Sequence, residues 1–371
     1  MGSRKMYLFA MVVVPVLIFV FFVTLLGEGL PLRTPVAIVD MDHSPMSRSV
    51  SRSLNANELV DIVSYEESFA NAMGAIRRGD IFGFFVIPEN FEQDALSGRK
   101  PTLEFFSNLT YFVPGTLTFK GFKTTAVTTA GGVVRSELTA LGVPADMATG
   151  LLQPMAVDNH PLGNPWMNYS VYLSPSFSFG ALALMIILCT VFAITIEIKN
   201  GTSPEWMRTA HGHITVAIAG KLLPHFVVWS IVGQFLLSLL FGWCGFPCGS
   251  LWALVVAMEL FILASMALAV IFCCIVPNPR LAFSIAALIS ILAFSFLGFS
   301  FPVQNMYGAI AIFSYAIPTR YMFLIYIFSG LNGFPLYYSR IYFAVLIIFP
   351  IIAALPLRRL KKFLLNPVYV P

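Results

Sequence analysis

Long apolar runs separated by short polar islands set the pattern of this chain. The first run, Met6–Leu26, carries no charge, and others lie at about Phe177–Ile196, Pro224–Gly242, Leu251–Val276, Leu281–Phe301 and Ile341–Leu357. A helix needs about 20 apolar residues, at ~1.5 Å each, to cross about 30 Å of hydrocarbon. The pattern therefore predicts six spans. The first run is longer than the ~7–15-residue core of a signal peptide. No small-x-small cleavage site follows at Leu25-Leu26-Gly27-Glu28, so it reads as a retained helix.

Between the first and second runs the period changes. Pro35–Asp40, Leu59–Ser64, Ile81–Ile87 and Thr102–Phe106 read as strands. Two helices alternate with them: one begins at the Asp42-His43-Ser44-Pro45 cap and runs to about Asn55, the other covers Glu66–Arg78 and is ended by Gly79. Such alternation predicts a small α/β domain with a largely parallel sheet. Val113–Leu141 reads as a long helical stalk weakened at Gly131-Gly132. Near the end of the chain, residues 302–340 are too apolar for an ordinary loop and too broken for a clean span, which predicts a re-entrant or interfacial hairpin. The expected fold is a polytopic α-helical membrane protein with one plus five spans and an inserted α/β extracytoplasmic domain. Its expected parts are residues 1–27, 28–170 and 171–371.

Composition agrees: 58% of residues are hydrophobic and 11% charged, with a mean hydropathy of +0.82, outside the range of soluble globular chains. The placement of charge gives the orientation. Arg4 and Lys5 precede the first span; Arg358, Arg359, Lys361 and Lys362 follow the last. Lys199, Arg208, Lys221 and Arg280 lie in two further loops, whereas the loop Trp243–Ser250 has no Lys or Arg. The positive-inside rule then puts both termini, the 197–221 island and the Arg280 turn in the cytoplasm. Residues 27–170 fall outside, as does the loop Trp243–Ser250. That outer segment holds 15 of the 18 acids against 10 basic residues, so nucleic acid is no expected partner. A multi-pass membrane protein with both termini cytoplasmic and residues 28–170 extracytoplasmic is the expected setting.

Candidate chemistry is sparse. Gly220-Lys221 has the look of a phosphate loop, but that pattern needs Gly at 215 and Ser or Thr at 222, where the chain has Thr215 and Leu222. The chain therefore carries no nucleotide cradle, and Lys221 reads as an interface anchor with a snorkelling stem. His211 and His213 lack a third ligand, so no metal site is expected. Asp40, Asp42 and His43 are explained by a capping turn, and Ser44 and Ser47 lack the glycines of a nucleophile elbow. His225, Trp229 and Gln234 line one side of a span as interhelical hydrogen-bonders. Glu259 is a carboxyl inside a span and hence a functional candidate, or else a carboxyl hydrogen-bonded to a neighbouring helix. Cys244 and Cys248 flank Gly245-Phe246-Pro247 in an outer loop, where a disulfide and two free thiols both fit.

The island Glu197–Lys221 packs two acids, three basic residues, an exposed-looking Trp206 and the turn Gly201-Thr202-Ser203-Pro204 between two spans. Glu197, Lys199, Gly201, Thr202, Glu205 and Trp206, followed by Gly220-Lys221-Leu222-Leu223-Pro224, resemble the first cytoplasmic loop of type-2 ABC transporter permeases. Val36–Arg48 and Gly79–Phe91 are similar to that family's first strand and turn and its third strand. Phe301-Pro302 with Ile317-Pro318 resembles its broken hairpin. The resemblance covers nearly the whole chain and implies an exporter permease. Its ATP and Mg would be bound by separate ABC ATPase subunits. It would pair as a homodimer or with a related permease in the lipid bilayer, with a periplasmic adaptor as a further candidate partner. It implies that the six island residues couple the permease to the ATPase. Only Arg4 and Lys5 precede the first span, so the family's leading amphipathic helix is expected to be absent or truncated. A membrane-anchored extracytoplasmic sensor or scaffold is the contrasting reading.

Overall fold

The computed structural model describes residues 7, 9–99, 101–152, 163–165, 167–299 and 301–367. Arg4, Lys5 and Met6 lie outside the described residues. The chain divides into two compact units, Leu30–Asn159 and the remainder.

The second unit's first helix, α1 (Phe9–Leu25), combines five residues of π-helix with twelve of α-helix. It is apolar but shorter than the other spans, and its described part is about 25 Å long at ~1.5 Å per residue.

In the inserted unit, four strands form one mixed sheet in the order β2-β1-β3-β4. The strands are β1 (Thr34–Asp40), β2 (Val60–Tyr65), β3 (Gly83–Ile87) and β4 (Glu104–Ser107). β1 runs parallel to β2 and β3, and β4 is antiparallel to β3. Alternate side chains of β1 and β3 feed opposite faces, as the two-residue strand period requires. Val36, Ile38, Phe85 and Ile87 enter one core with Val50, Leu54 and Phe122. Ala37, Val39, Phe84 and Val86 enter the other with Ala72 and Ala75. Both faces are covered, and for that reason β1 and β3 read as unbroken apolar runs.

The covering helices are α2 (Pro45–Asn55), α3 (Phe69–Arg78), the short α4 (Phe91–Leu96) and α5 (Phe112–Ala140). α2 is started by Ser44, whose side chain accepts from the Ser47 N–H, and α3 ends at the left-handed Gly79 (φ 83°). α3 begins three residues later than expected, because Ser68 takes the cap. α5 runs unbroken through Gly131-Gly132 and is followed by α6 (Ala145–Leu152).

The membrane unit continues with α7 (Tyr169–Lys199), α8 (Ser203–Thr209), α9 (Ile214–Trp243), α10 (Leu251–Ile275) and α11 (Pro279–Phe296). It closes with α12 (Gly308–Tyr315), α13 (Pro318–Leu331), α14 (Leu336–Ala354) and α15 (Leu357–Leu365). Among the described residues, five helices (α7, α9, α10, α11 and α14) are long and apolar enough to cross a membrane. The α12–α13 pair, bent by 79° at Ala316-Ile317, makes a sixth if counted as one span. α7 and α9 start eight and ten residues earlier than their apolar runs. Pro224, expected at the start of its span, and Pro175 both sit inside these helices. A membrane helix tolerates such a proline because neighbouring helices and local adjustments satisfy the freed carbonyl.

α7 and α10 form the centre of the bundle and are mostly buried, whereas α11 and α14 are mostly exposed. Cys189, Cys273 and Cys274 are buried there as small apolar fillers. Cys244 and Cys248 are both half-buried and stand as free thiols in this structure.

Candidate functional site

Three helix ends meet around α8. α7 stops where Gly201 takes a left-handed φ of 69°, and α8 stops where His211 (φ 49°) and Gly212 (φ 75°) turn the chain into α9. Positive φ is costly for residues with a Cβ, so these turns fix the length of α8 at two helical turns. The histidines of the island belong to this turn. Among the described residues, no group of three or more His, Cys, Asp or Glu is placed to hold a metal ion.

The island folds back on itself. Glu197, at the end of α7, pairs through Oε1 with Nζ of Lys221 on α9 at 2.5 Å. Its Oε2 accepts the Thr202 hydroxyl. The Lys221 ammonium lies 4.6 Å from the centre of the Trp206 ring, and Trp206 Nε1 donates to the Ala217 carbonyl at 3.3 Å. Trp206 is therefore half-buried rather than exposed. A ring with an N–H to satisfy and a cation beside it finds both needs met by α9. Below α8, the buried Ser203 hydroxyl donates to the Leu364 carbonyl of α15 at 2.7 Å.

An open cleft of about 590 Å³ results, lined among others by Glu197, Thr202, Glu205, Trp206 and Lys221. Of the six residues singled out in the sequence, four border this cleft. Lys199 and Gly201 are exposed but do not line it. The sequence reading missed the role of Lys221, set aside as an interface anchor, and the brace from Leu364. The available signal was an acid and a base at the facing ends of two spans joined by a short loop.

Most of the other candidates find hydrogen-bond partners close by. Asp40 Oδ1 accepts the N–H groups of Asp42 and His43 at 3.1 Å each, and Oδ2 accepts the Ser47 hydroxyl at 2.7 Å. That is a turn cap with its acceptors used. Within the bundle, Glu259 on α10 accepts from Ser230 Oγ at 2.6 Å and from Gln234 Nε2 at 2.7 Å, both on α9. Ser230 and Gln234 are one helical turn apart and so face α10 together. Gln234 thus makes the expected interhelical bond. Among the described residues, Trp229 is buried with its Nε1 unpartnered, and His225 hydrogen-bonds only the Lys221 carbonyl of its own helix.

Glu259→Leu should leave both α9 donors without an acceptor, costing roughly 1–3 kcal/mol. It should lower the thermal midpoint of the purified protein, with Glu259→Gln close to wild type. Equal midpoints for all three would show that the bonds hold nothing together.

Among the described residues, five to six apolar spans, an inserted α/β unit and a short polar helix braced between two spans define a multi-pass membrane protein. The chain matches the ABC-2 family transporter protein over residues 5–355 and belongs to that family. It is thus an ABC permease, the transmembrane and non-catalytic part of a transporter whose ATPase is a separate partner. No curated protein and no solved structure matches the chain.

Proposed function

We propose that the chain is the permease of an ATP-driven exporter and that the α8 cleft is where its ATPase seats. The observation that carries this reading is the cleft itself. It lies on a two-turn helix between two spans, with Glu205 exposed on α8 beside the half-buried Trp206 ring. A surface of this kind, with a charged rim and an aromatic floor, has the anatomy of an interface anchor. ATP and Mg would be bound in the partner ATPase, whose motion α8 passes into α7 and α9.

In this reading both termini and α8 are cytoplasmic, and residues 28–170 are periplasmic on a bacterial inner membrane. Two permeases, identical or related, make the transport path, and the periplasmic unit gates it or recruits an adaptor. The cargo is apolar or amphipathic, in keeping with spans rich in aromatic residues. Lys199 and Arg208, exposed beside the cleft, supply further charge-assisted contacts.

The test is a complex reconstituted with the ATPase encoded beside the gene. Glu205→Ala with Trp206→Ala should weaken ATPase stimulation by about 30-fold or more, the effect of losing an anchor of ~2 kcal/mol or above. Unchanged stimulation and co-purification would remove the cleft as the docking site.

A further inference from the structure

The last described helix, α15 (Leu357–Leu365), lies beyond the residues matched to the family, so its role does not follow from membership. Its nine residues, LRRLKKFLL, divide cleanly by face. Leu357, Leu360 and Leu364 are buried, and Arg358, Arg359 and Lys362 are exposed, with Lys361 half-buried at the border. There is no acid in the helix to balance four cations. Arg359 is used structurally, donating through Nη2 to the Ile275 carbonyl at the end of α10 at 3.3 Å. No hydrogen bond or ion pair to a carboxylate is formed by Arg358, Lys361 or Lys362 among the described residues.

A groove of about 440 Å³ ends at this helix. It runs between α9, α10 and α14, and its lining includes Thr215, Phe226, Leu263, Val270, Pro350 and, at the α15 end, Leu357. The lining is apolar apart from Thr215. Along α9 it extends from Thr215 to Phe226, which is about 16 Å at ~1.5 Å per residue. That is close to half of a hydrocarbon core of about 30 Å, the depth of a single leaflet. The groove thus has the length of one acyl chain, and the helix at its mouth carries unneutralised positive charge at the level of the headgroups.

We propose that this groove and α15 together hold one anionic phospholipid, with an acyl chain along Phe226 and Leu263 and its phosphate among Arg358, Lys361 and Lys362. An amphipathic helix with basic residues on its polar face lies in the interface plane, and each cation there adds attraction to anionic lipid. A zwitterionic lipid would fill the groove equally well but gain much less from the three cations. Charge complementarity therefore selects the headgroup, and the groove selects a lipid over a soluble anion.

Native mass spectrometry of the full-length permease, incubated with equal amounts of phosphatidylglycerol and phosphatidylcholine, tests the site without needing the ATPase. The expected result is one tightly retained lipid per chain, with a preference for phosphatidylglycerol of about 10-fold or more. Arg358→Gln with Lys361→Gln and Lys362→Gln should bring the two lipids to parity while still retaining one. Ala219→Phe should abolish retention of both, since the exposed Ala219 lines the groove. Raising the salt concentration with the wild-type chain should erode the preference, and this arm needs no variant to fold. Equal retention of the two lipids by the wild type would overturn the proposal. So would a phosphatidylglycerol preference that survives the triple substitution, or retention unchanged by Ala219→Phe. A groove closed by a second copy of the chain would appear as a lipid-free dimer, which also counts against it.

Discussion

Glu197→Lys should cut ATPase stimulation in the reconstituted complex by at least about 10-fold, and adding Lys221→Glu should restore most of it. The two side chains meet at 2.5 Å with 18% and 25% of their surfaces exposed. That places the pair between an exposed bridge of ~0–1 kcal/mol and a buried one whose breakage costs ~3–5 kcal/mol. Two lysines in the same place add repulsion of several kcal/mol. α7 and α9 would then part at the end that carries α8, and the Lys221 ammonium would leave the Trp206 ring. The exchanged pair brings the helix ends back together. Recovery should stop short of wild type, because a glutamate beside Trp206 forfeits a cation–π contact of about 0.5–2 kcal/mol. A fully active Glu197→Lys, or a double variant as inactive as the single one, would show that the pair does not hold the joint.

Gly249→Ala should be the most damaging small substitution in the membrane unit. The Gly249 N–H donates to the Gly330 carbonyl at 2.7 Å, fastening the loop before α10 to the end of α13. A methyl at Gly249 would overlap the Gly333 Cα and lie 2.9 Å from the Gly333 nitrogen and 3.2 Å from the Ser329 carbonyl oxygen. All three obstacles are backbone, so no rotamer change relieves them. The two segments must separate and surrender the hydrogen bond. A loss of about 2–4 kcal/mol is expected, read as a large drop in the thermal midpoint and in the monodisperse fraction on extraction. Gly180→Ala is the control. The three atoms nearest its new methyl all belong to the half-buried Phe294 ring, a side chain that can shift where backbone cannot, so it should cost less. If the two variants lose equally, close backbone approach is not what Gly249 provides.

Much of this architecture is legible in the sequence, because burial leaves periodic traces. The runs at 251–276 and 281–301 mark α10 and α11 to within a few residues, and Val36-Ala37-Ile38-Val39 announces a strand covered on both faces. What escaped is of two physical kinds. One is the true start of a helix whose first turns are polar or contain proline. α7 begins at Tyr169 and α9 at Ile214 because tertiary contacts, not hydropathy, support those turns. The other is pairing across distance. Glu197, Trp206 and Glu259 stand out as residue types, yet beyond the opposite charges of Glu197 and Lys221 nothing local says that the second meets Ala217, or the third Ser230 and Gln234. The apolar stripe of α15 is masked in the sequence by the four cations set between its leucines.

The three attachments of α8 have a mechanical consequence. A short helix fastened at one point would swivel under load and dissipate it. α8 is fastened to α7 through Thr202 and Glu197, to α9 through Trp206 and Ala217, and to α15 through Ser203 and Leu364. Contacts to three different helices oppose such swivelling better than a contact to one. In the proposed coupling, a push from the ATPase on α8 would therefore pass into the three helices that hold it.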